Sequence, residues 1–284
     1  MLSYVERRPP EALAPFLECL WLVQDARVRW PRPPERVVPD GCPEIIVHLG
    51  DRFARRIGER WAMQPRAFLV GTLTRPWLLR AGRRVKTLGI RFRHGQLHRL
   101  FGFRMAAATD REVPLQDLAG RASARELLEG LDGKRTDRGR FGVAEIWLLR
   151  RLHAAPRENR TGGCQPALDR ILEARGQARI DAVAESLGWG RRRMQRVFLD
   201  EVGVSPKLYS RIVRLNVVLA TLEAAERSSA VDFALAAGYF DQAHLLRDFR
   251  TLVGRTPRTP RQADGEMAQH FTNPERLKQL FAGE

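Results

Sequence analysis

The most legible chemistry lies in the stretch Arg191-Arg192-Arg193-Met194-Gln195-Arg196-Val197-Phe198-Leu199. On a helix, Met194 and Phe198 are one turn apart and make an apolar seam. Arg192, Gln195 and Arg196 then share the opposite face at i, i+3 and i+4. A guanidinium fork matches O6 and N7 of guanine, and a carboxamide matches N6 and N7 of adenine, so the trio suits base edges in a major groove. Three arginines in a row, taken alone, more often mark a solvated face. A second stretch, Gln242-Ala243-His244-Leu245-Leu246-Arg247-Asp248-Phe249, repeats the arrangement. Leu245 and Phe249 take the seam. Gln242, His244 and Arg247 face outward with hydrogen-bonding groups, while Ala243 and Leu246 can touch only a thymine methyl or a sugar edge.

Both stretches belong to an internal repeat. Ala184, Gly188, Trp189, Met194, Arg196, Phe198, Gly203, Ser205, Pro206 and Lys207 correspond to Ala234, Gly238, Tyr239, Leu245, Arg247, Phe249, Gly254, Thr256, Pro257 and Arg258. The offset is 51 residues from the long helix onward and 50 before it, so the second turn is one residue longer. Each unit reads as short helix, Gly-aromatic turn, long helix, Gly, Ser/Thr-Pro, which is helix-turn-helix punctuation. Asp241 is placed to cap the second long helix, whereas Gly190 holds the weaker cap position of the first. Between the units, Leu208, Ile212, Leu215, Leu219 and Leu222 recur at helical spacing. A connecting helix of about 18 residues spans roughly 27 Å, against roughly 34 Å for one turn of B-DNA.

The elements upstream are different in kind. Residues 1–92 predict short strands broken by turns: Glu18 to Gln24, Glu44 to Leu49, Ala67 to Gly71 and Val85 to Phe92. Pro39-Asp40-Gly41 and the run Trp30 to Pro34 punctuate them, and the spacing predicts an antiparallel sandwich or barrel. Trp21, Trp77 and Phe92 are candidates for its interior. Helices are expected from His94 and over roughly 123–132 and 142–154. Residues 156–165 have linker composition, and 263–284 predict a capped amphipathic helix from Asn273-Pro274 through Phe281.

The net charge of +16 favours a polyanionic partner. It does not locate the site, because residues 1–165 carry 31 basic and 18 acidic groups while 166–284 carry 18 and 15. No run of 18 apolar residues points to a membrane span, and the first residues lack the apolar core of a secretory signal. Three scattered cysteines make neither a disulfide framework nor a zinc signature, so the expected location is cytoplasmic. No nucleophile-elbow, phosphate-loop or zinc-protease motif occurs, and no catalytic residue is expected. His94 and His98 at i, i+4 with His48 lack the clustered ligands of a metal site. Asp40 and Glu44 read as turn and strand-edge residues. No metal and no cofactor are expected.

Residues 166–262 resemble the DNA-binding domain of the AraC/XylS family of bacterial transcription regulators. The resemblance rests on Gly238 to Arg250 with Gly254, Thr256 and Pro257, and on Gly188 to Phe198 upstream. It implies an all-α double helix-turn-helix whose base-reading positions fall on Arg192, Gln195, Arg196, Gln242, Ala243, His244, Leu246 and Arg247. The chain departs from the family pattern at Gly190, in place of a serine cap, and at Thr259-Pro260, where an aromatic often follows Thr-Pro. Residues 1–155 resemble effector domains of a family subset through Pro39-Asp40-Gly41 with Glu44-Ile45-Ile46, Gly71-x-x-Thr74 and Leu88-Gly89-Ile90-Arg91-Phe92. That resemblance implies a cupin-like β-barrel with appended helices and names no ligand.

The expectation is therefore an α+β protein of two domains, a sequence-specific transcription regulator with a β-rich sensing or dimerisation domain (1–155), a linker (156–165), a reader (166–262) and a helical tail (263–284). Lys207, Arg250 and Arg258 are the expected phosphate contacts. Double-stranded DNA is the expected partner; a small-molecule effector, RNA polymerase and a second copy of the chain are further candidates. The alternative is a metal-binding or enzymatic cupin-like protein that uses its helical half as a docking module.

Overall fold

The computed structural model describes residues 2–25, 33–155, 163–224, 238–239 and 241–256, with the side chains of 221–224 excepted. Arg258, Thr259-Pro260 and the expected tail helix lie outside the described residues. So do most of the linker and the short helix of the second repeat unit.

Among the described residues, ten strands make two antiparallel sheets. In chain order they are β1 (Leu2–Arg7), β2 (Leu17–Asp25), β3 (Glu35–Val37), β4 (Glu44–His48), β5 (Ala54–Ile57), β6 (Arg60–Met63), β7 (Ala67–Val70), β8 (Trp77–Arg80), β9 (Val85–Phe92) and β10 (Glu112–Pro114). The six-stranded sheet runs β1-β2-β9-β4-β7-β10 and the four-stranded sheet β3-β8-β5-β6. The four expected strands stand within a residue or two of their expected bounds. Helices α1 (Gln96–Phe101), α2 (Leu115–Ala119), α3 (Arg121–Asp132) and α4 (Asp137–Ala154) follow.

Period-two alternation gives the large sheet two apolar faces. Leu20, Leu22, Ile45, Val47, Leu88, Ile90 and Phe92 pack against the helices, with Leu127, Phe141 and Trp147 among their partners. Cys19, Trp21, Ile46 and Phe68 face the other way, toward Trp77 and Leu79 of the small sheet. Phe92 is thus on the helix side, and the expectation that it shares an interior with Trp21 and Trp77 is corrected by the pleat. Gly89 has to be glycine, because a Cβ there would come within 2.0 Å of the Trp21 ring.

The pleat that sends Leu88, Ile90 and Phe92 to the helices sends Arg91 to the opposite face. Arg91 is buried and meets Glu18 at 3.0 Å, Glu44 at 2.5 Å and Asp40. Burial alone would lower its pKa, but the three carboxylates outweigh that and hold it charged. Glu44 opens β4, at the strand end the sequence suggested, and β4 itself lies between β9 and β7. Asp40 does serve its turn, accepting from the Cys42 amide at 2.9 Å. Burial pushes the Cys42 thiol up, and its sulfur lies 3.5 Å from Nε2 of the buried His94.

The helical part contains α5 (Gln165–Glu173), α6 (Ile180–Ser186), α7 (Arg191–Glu201), α8 (Pro206–Ala224) and α9 (Gln242–Leu252). The 19 residues of α8 span about 28 Å at ~1.5 Å per residue. Its two faces serve two cores. Tyr209 and Val213 join Met194 and Phe198 of the first unit, while Ile212, Leu215 and Leu219 join Leu245 and Phe249 of the second. Each buried side chain of this size contributes about 1.5–3 kcal/mol, so α8 is the frame on which both units are built. None of these helices is long and apolar enough to cross a membrane.

Candidate nucleic-acid interface

The first long helix, α7, starts at Gly190 in extended conformation with no side-chain cap, as its sequence implies. Met194 and Phe198 are buried, which turns Arg192, Gln195 and Arg196 to solvent. All three are exposed and, within the described structure, have no hydrogen-bond or ion-pair partner. Their neighbours are held. Arg191 pairs with Asp181 of α6 at 3.1 Å, and Arg193 stacks over Trp189 at 4.8 Å. The triple arginine therefore divides into one arginine that projects into solvent without a contact within the described structure and two that contact their neighbours.

The second long helix, α9, is capped as expected: the Asp241 carboxylate accepts from the His244 amide at 2.6 Å. Leu245 and Phe249 are buried, and Gln242, Ala243 and Arg247 are exposed. His244 and Leu246 are only half-exposed, and the His244 ring stacks edge-on to Tyr239 at 5.1 Å. Lys207, at the start of α8, and Arg250 are exposed. The buried Asp248 anchors α9 to Arg211 of α8 at 2.7 Å.

Both long helices end alike. The amides of Gly203 and Gly254 reach back to the carbonyls of Phe198 (2.9 Å) and Phe249 (3.2 Å), with φ of 91° and 74°. The residue before each glycine faces the N-terminal domain. Thr72 Oγ1 donates to the Val202 carbonyl at 2.5 Å, and Thr109 Oγ1 donates to the Gly203 carbonyl at 2.6 Å. Arg36 Nη1 donates to the Val253 carbonyl at 3.3 Å. Arg104 pairs with Asp200 at 2.9 Å, and Val38 is buried in the core of the second unit. Sequence reasoning missed these contacts. The one available signal was that Val202 and Val253 stand at the 51-residue offset.

His94, His98 and His48 do separate work. His94 contacts Gly41 and Cys42 and stacks edge-on to Tyr209 of α8 at 5.5 Å. His98 meets the Phe103 carbonyl at 2.9 Å. His48 lies between Thr87 and Gln64, each at 3.2 Å. Gln64 donates its NH2 to Glu112 at 2.9 Å, so its carbonyl faces His48. Nε2 of His48 must then carry the proton and Nδ1 accept from Thr87. Burial pushes its pKa down to about 4.

Residues 183–263 match a family described as a helix-turn-helix domain, and residues 5–114 match a domain of unknown function (DUF6597). Among solved structures the chain is similar to ToxT from Vibrio cholerae. A 1.65 Å form is 8% identical, covers 99% of this chain and 100% of that chain, and has a TM-score of 0.40. ToxT of strain SCE256 with a bound unsaturated fatty acid is 8% identical, with coverage of 90% and 92% and a TM-score of 0.40. The AraC-like transcriptional activator CuxR is 13% identical, with coverage of 79% and 97% and a TM-score of 0.30. Likeness at this level carries no residue role from one chain to another. No curated protein matches the sequence.

Proposed function

We propose that this chain, a DNA-binding transcription regulator with an AraC-type helix-turn-helix domain at its C-terminal end, reads a two-part DNA site with the exposed faces of α7 and α9. Residues 1–155 form the sensor, 156–165 the linker, 166–262 the reader and 263–284 the tail. Arg192, Gln195 and Arg196 read one block. Gln242, Ala243, His244, Leu246 and Arg247 read the other, with His244 and Leu246 confined to the edge of the contact by their half-burial. Lys207, Arg250 and Arg258 hold phosphates, and the protein acts in the cytoplasm, where its DNA partner is.

One observation carries this reading. Arg192, Gln195 and Arg196 stand exposed on one helix face with no partner within the described structure, while their neighbours Arg191 and Arg193 are tied down. Selection of bound duplexes from a random pool with full-length protein tests it. The expected result is a motif of two blocks about one helical turn, roughly 10 bp, apart. A pool that shows no enrichment would refute sequence reading.

A further inference from the structure

The outer face of the small sheet carries cations and apolar groups. Strand pairing sets its members: Arg36 lies opposite Leu78, Ala54 opposite both Arg80 and Met63, and Arg56 opposite Trp61. Opposed residues share a face, as do alternate residues of one strand. Arg36, Arg56, Arg80, Trp61 and Met63 therefore point away from the inner face, which packs Val37, Trp77 and Leu79 into the core. The acidic groups of these segments lie elsewhere: Glu35 is buried on the inner face, and Glu59 is in the turn between β5 and β6. Arg56 is exposed and donates Nε to the Gly58 carbonyl at 3.1 Å, while Arg80 lies over the Trp61 ring at 4.2 Å. Neither meets a carboxylate among the described residues.

The charge of the N-terminal half collects here. Residues 51–84 hold nine arginines, no lysine and two acidic groups, which is more than half of the basic surplus of residues 1–165. An ordinary solvated surface mixes the two signs. A face of one sign repels itself until an anion lies across it.

At one end the face opens into a polar groove of about 290 Å³, lined by Arg55, Arg56, Arg75, Pro76 and Asp110 among others. Arg55 is fixed there by Glu112 at 3.1 Å and by the Trp77 ring at 3.9 Å. Asp110 accepts from the Thr74 amide at 2.9 Å and lies 3.9 Å from Arg75, which is exposed. Arg56 and Arg75 thus turn most of their donors to solvent.

The groove adjoins the second reading unit. A Cβ on Gly254 would come within 2.9 Å of both Arg36 Nη1 and Pro76 Cγ. Gly254 follows Arg247 by seven residues, about 10 Å along the helix axis at ~1.5 Å each. The major groove of B-DNA is about 12 Å wide, so a helix seated in it leads over that length to the phosphates on the groove's rim. Guanidinium forks match phosphate oxygens, and an aromatic ring beneath one holds it in place.

We propose that the outer face of the small sheet, from the groove at Arg56 and Arg75 to Arg80 on Trp61, is a second DNA surface, which holds the phosphate backbone of the duplex where it flanks the block read by α9. The placement of the duplex rests on the DNA-reading proposal above; the affinity of this face for duplex phosphate does not.

Anisotropy titrations use the full-length protein and the selected duplex, whose α9 block is the one at which Arg247→Ala relaxes preference. Lengthening the duplex by about 10 bp beyond that block is expected to tighten binding about fivefold and to steepen its salt dependence, while the same length added beyond the α7 block does neither. Each neutralised phosphate contributes about 0.9 to the slope of log K against log salt. Arg56→Gln combined with Arg75→Gln should therefore lower the slope by roughly 2 on the lengthened duplex and leave the short duplex, the selected motif and the urea midpoint unchanged. Equal affinity for the two lengthened duplexes, or a slope that the double substitution leaves alone, would overturn the proposal. So would a double substitution that weakens binding of a single strand but not of the duplex. The flank comparison uses unmodified protein and stands even if the variant fails to fold. If selection enriches no motif, a random duplex of about 30 bp, three helical turns, takes the place of the site. A slope lowered by the substitutions then sinks base reading and leaves this surface standing, and an unchanged slope sinks both.

Discussion

Val202 and Val253 are equivalent positions of the repeat, 51 residues apart, and each gives its carbonyl to a side chain of the same N-terminal domain: to Thr72 at 2.5 Å and to Arg36 at 3.3 Å. One body therefore sets the C-terminal ends of both long helices. Their separation depends on the N-terminal domain as well as on α8.

Thr72→Val keeps the shape and removes the donor, leaving a buried carbonyl unpaired. The expected cost is about 1–3 kcal/mol, read as a lower urea midpoint. Binding to duplexes whose two blocks are moved one base pair nearer or farther should become more permissive. A wild-type midpoint with unchanged spacing preference would show that the contact holds nothing.

Arg91→Met leaves Glu18, Asp40 and Glu44 gathered without their cation. Breaking a buried ionic cluster in this way costs about 3–5 kcal/mol. Urea titrations at pH 7 check this, and a variant with the wild-type midpoint contradicts the arrangement.

His48 makes the stability of the wild-type protein depend on pH. Its folded pKa is about 4 against 6.5 when unfolded, because burial penalises the charged ring. Above pH 6.5 both states are neutral and the residue adds no slope. Between 6.5 and 4 the unfolded chain takes up a proton that the folded chain refuses, so stability is lost as pH falls, by about 3 kcal/mol in total. The pKa of His94 is also lowered by burial and adds in the same direction. His48→Gln should flatten the decline between pH 6.5 and 5 in urea titrations.

Arg196→Ala and Arg250→Ala should separate two kinds of contact. The first should cost about 1–3 kcal/mol at the selected site and relax preference at one base pair. The second should weaken all sequences alike and reduce the salt slope by about one unit. Equal losses of Arg196→Ala across all duplexes would remove it from the readers.

What the sequence discloses follows the range of the interactions. The seams Met194–Phe198 and Leu245–Phe249, the Asp241 cap and the long apolar strands are local, and spacing exposes them. The strands β1, β3, β5, β6, β8 and β10 are short or carry arginines on exposed faces, so their alternation is weak. Arg91 looks like any charge in a strand until the fold brings residues 18, 40 and 44 around it. His244 was legible as outward-facing, but the ring of Tyr239 that half-covers it was not. The grip on Val202 and Val253 uses backbone oxygens, which no side-chain pattern encodes.

The shared grip limits how freely the halves can be exchanged between regulators. A chimera that joins this reader to a foreign effector module must supply a hydroxyl opposite residue 202 and a long cationic donor opposite residue 253. It must also leave room for the two glycines that follow. Splicing within residues 156–165 alone would preserve every exposed side chain of α7 and α9 and still lose the grip that fixes the ends of those helices.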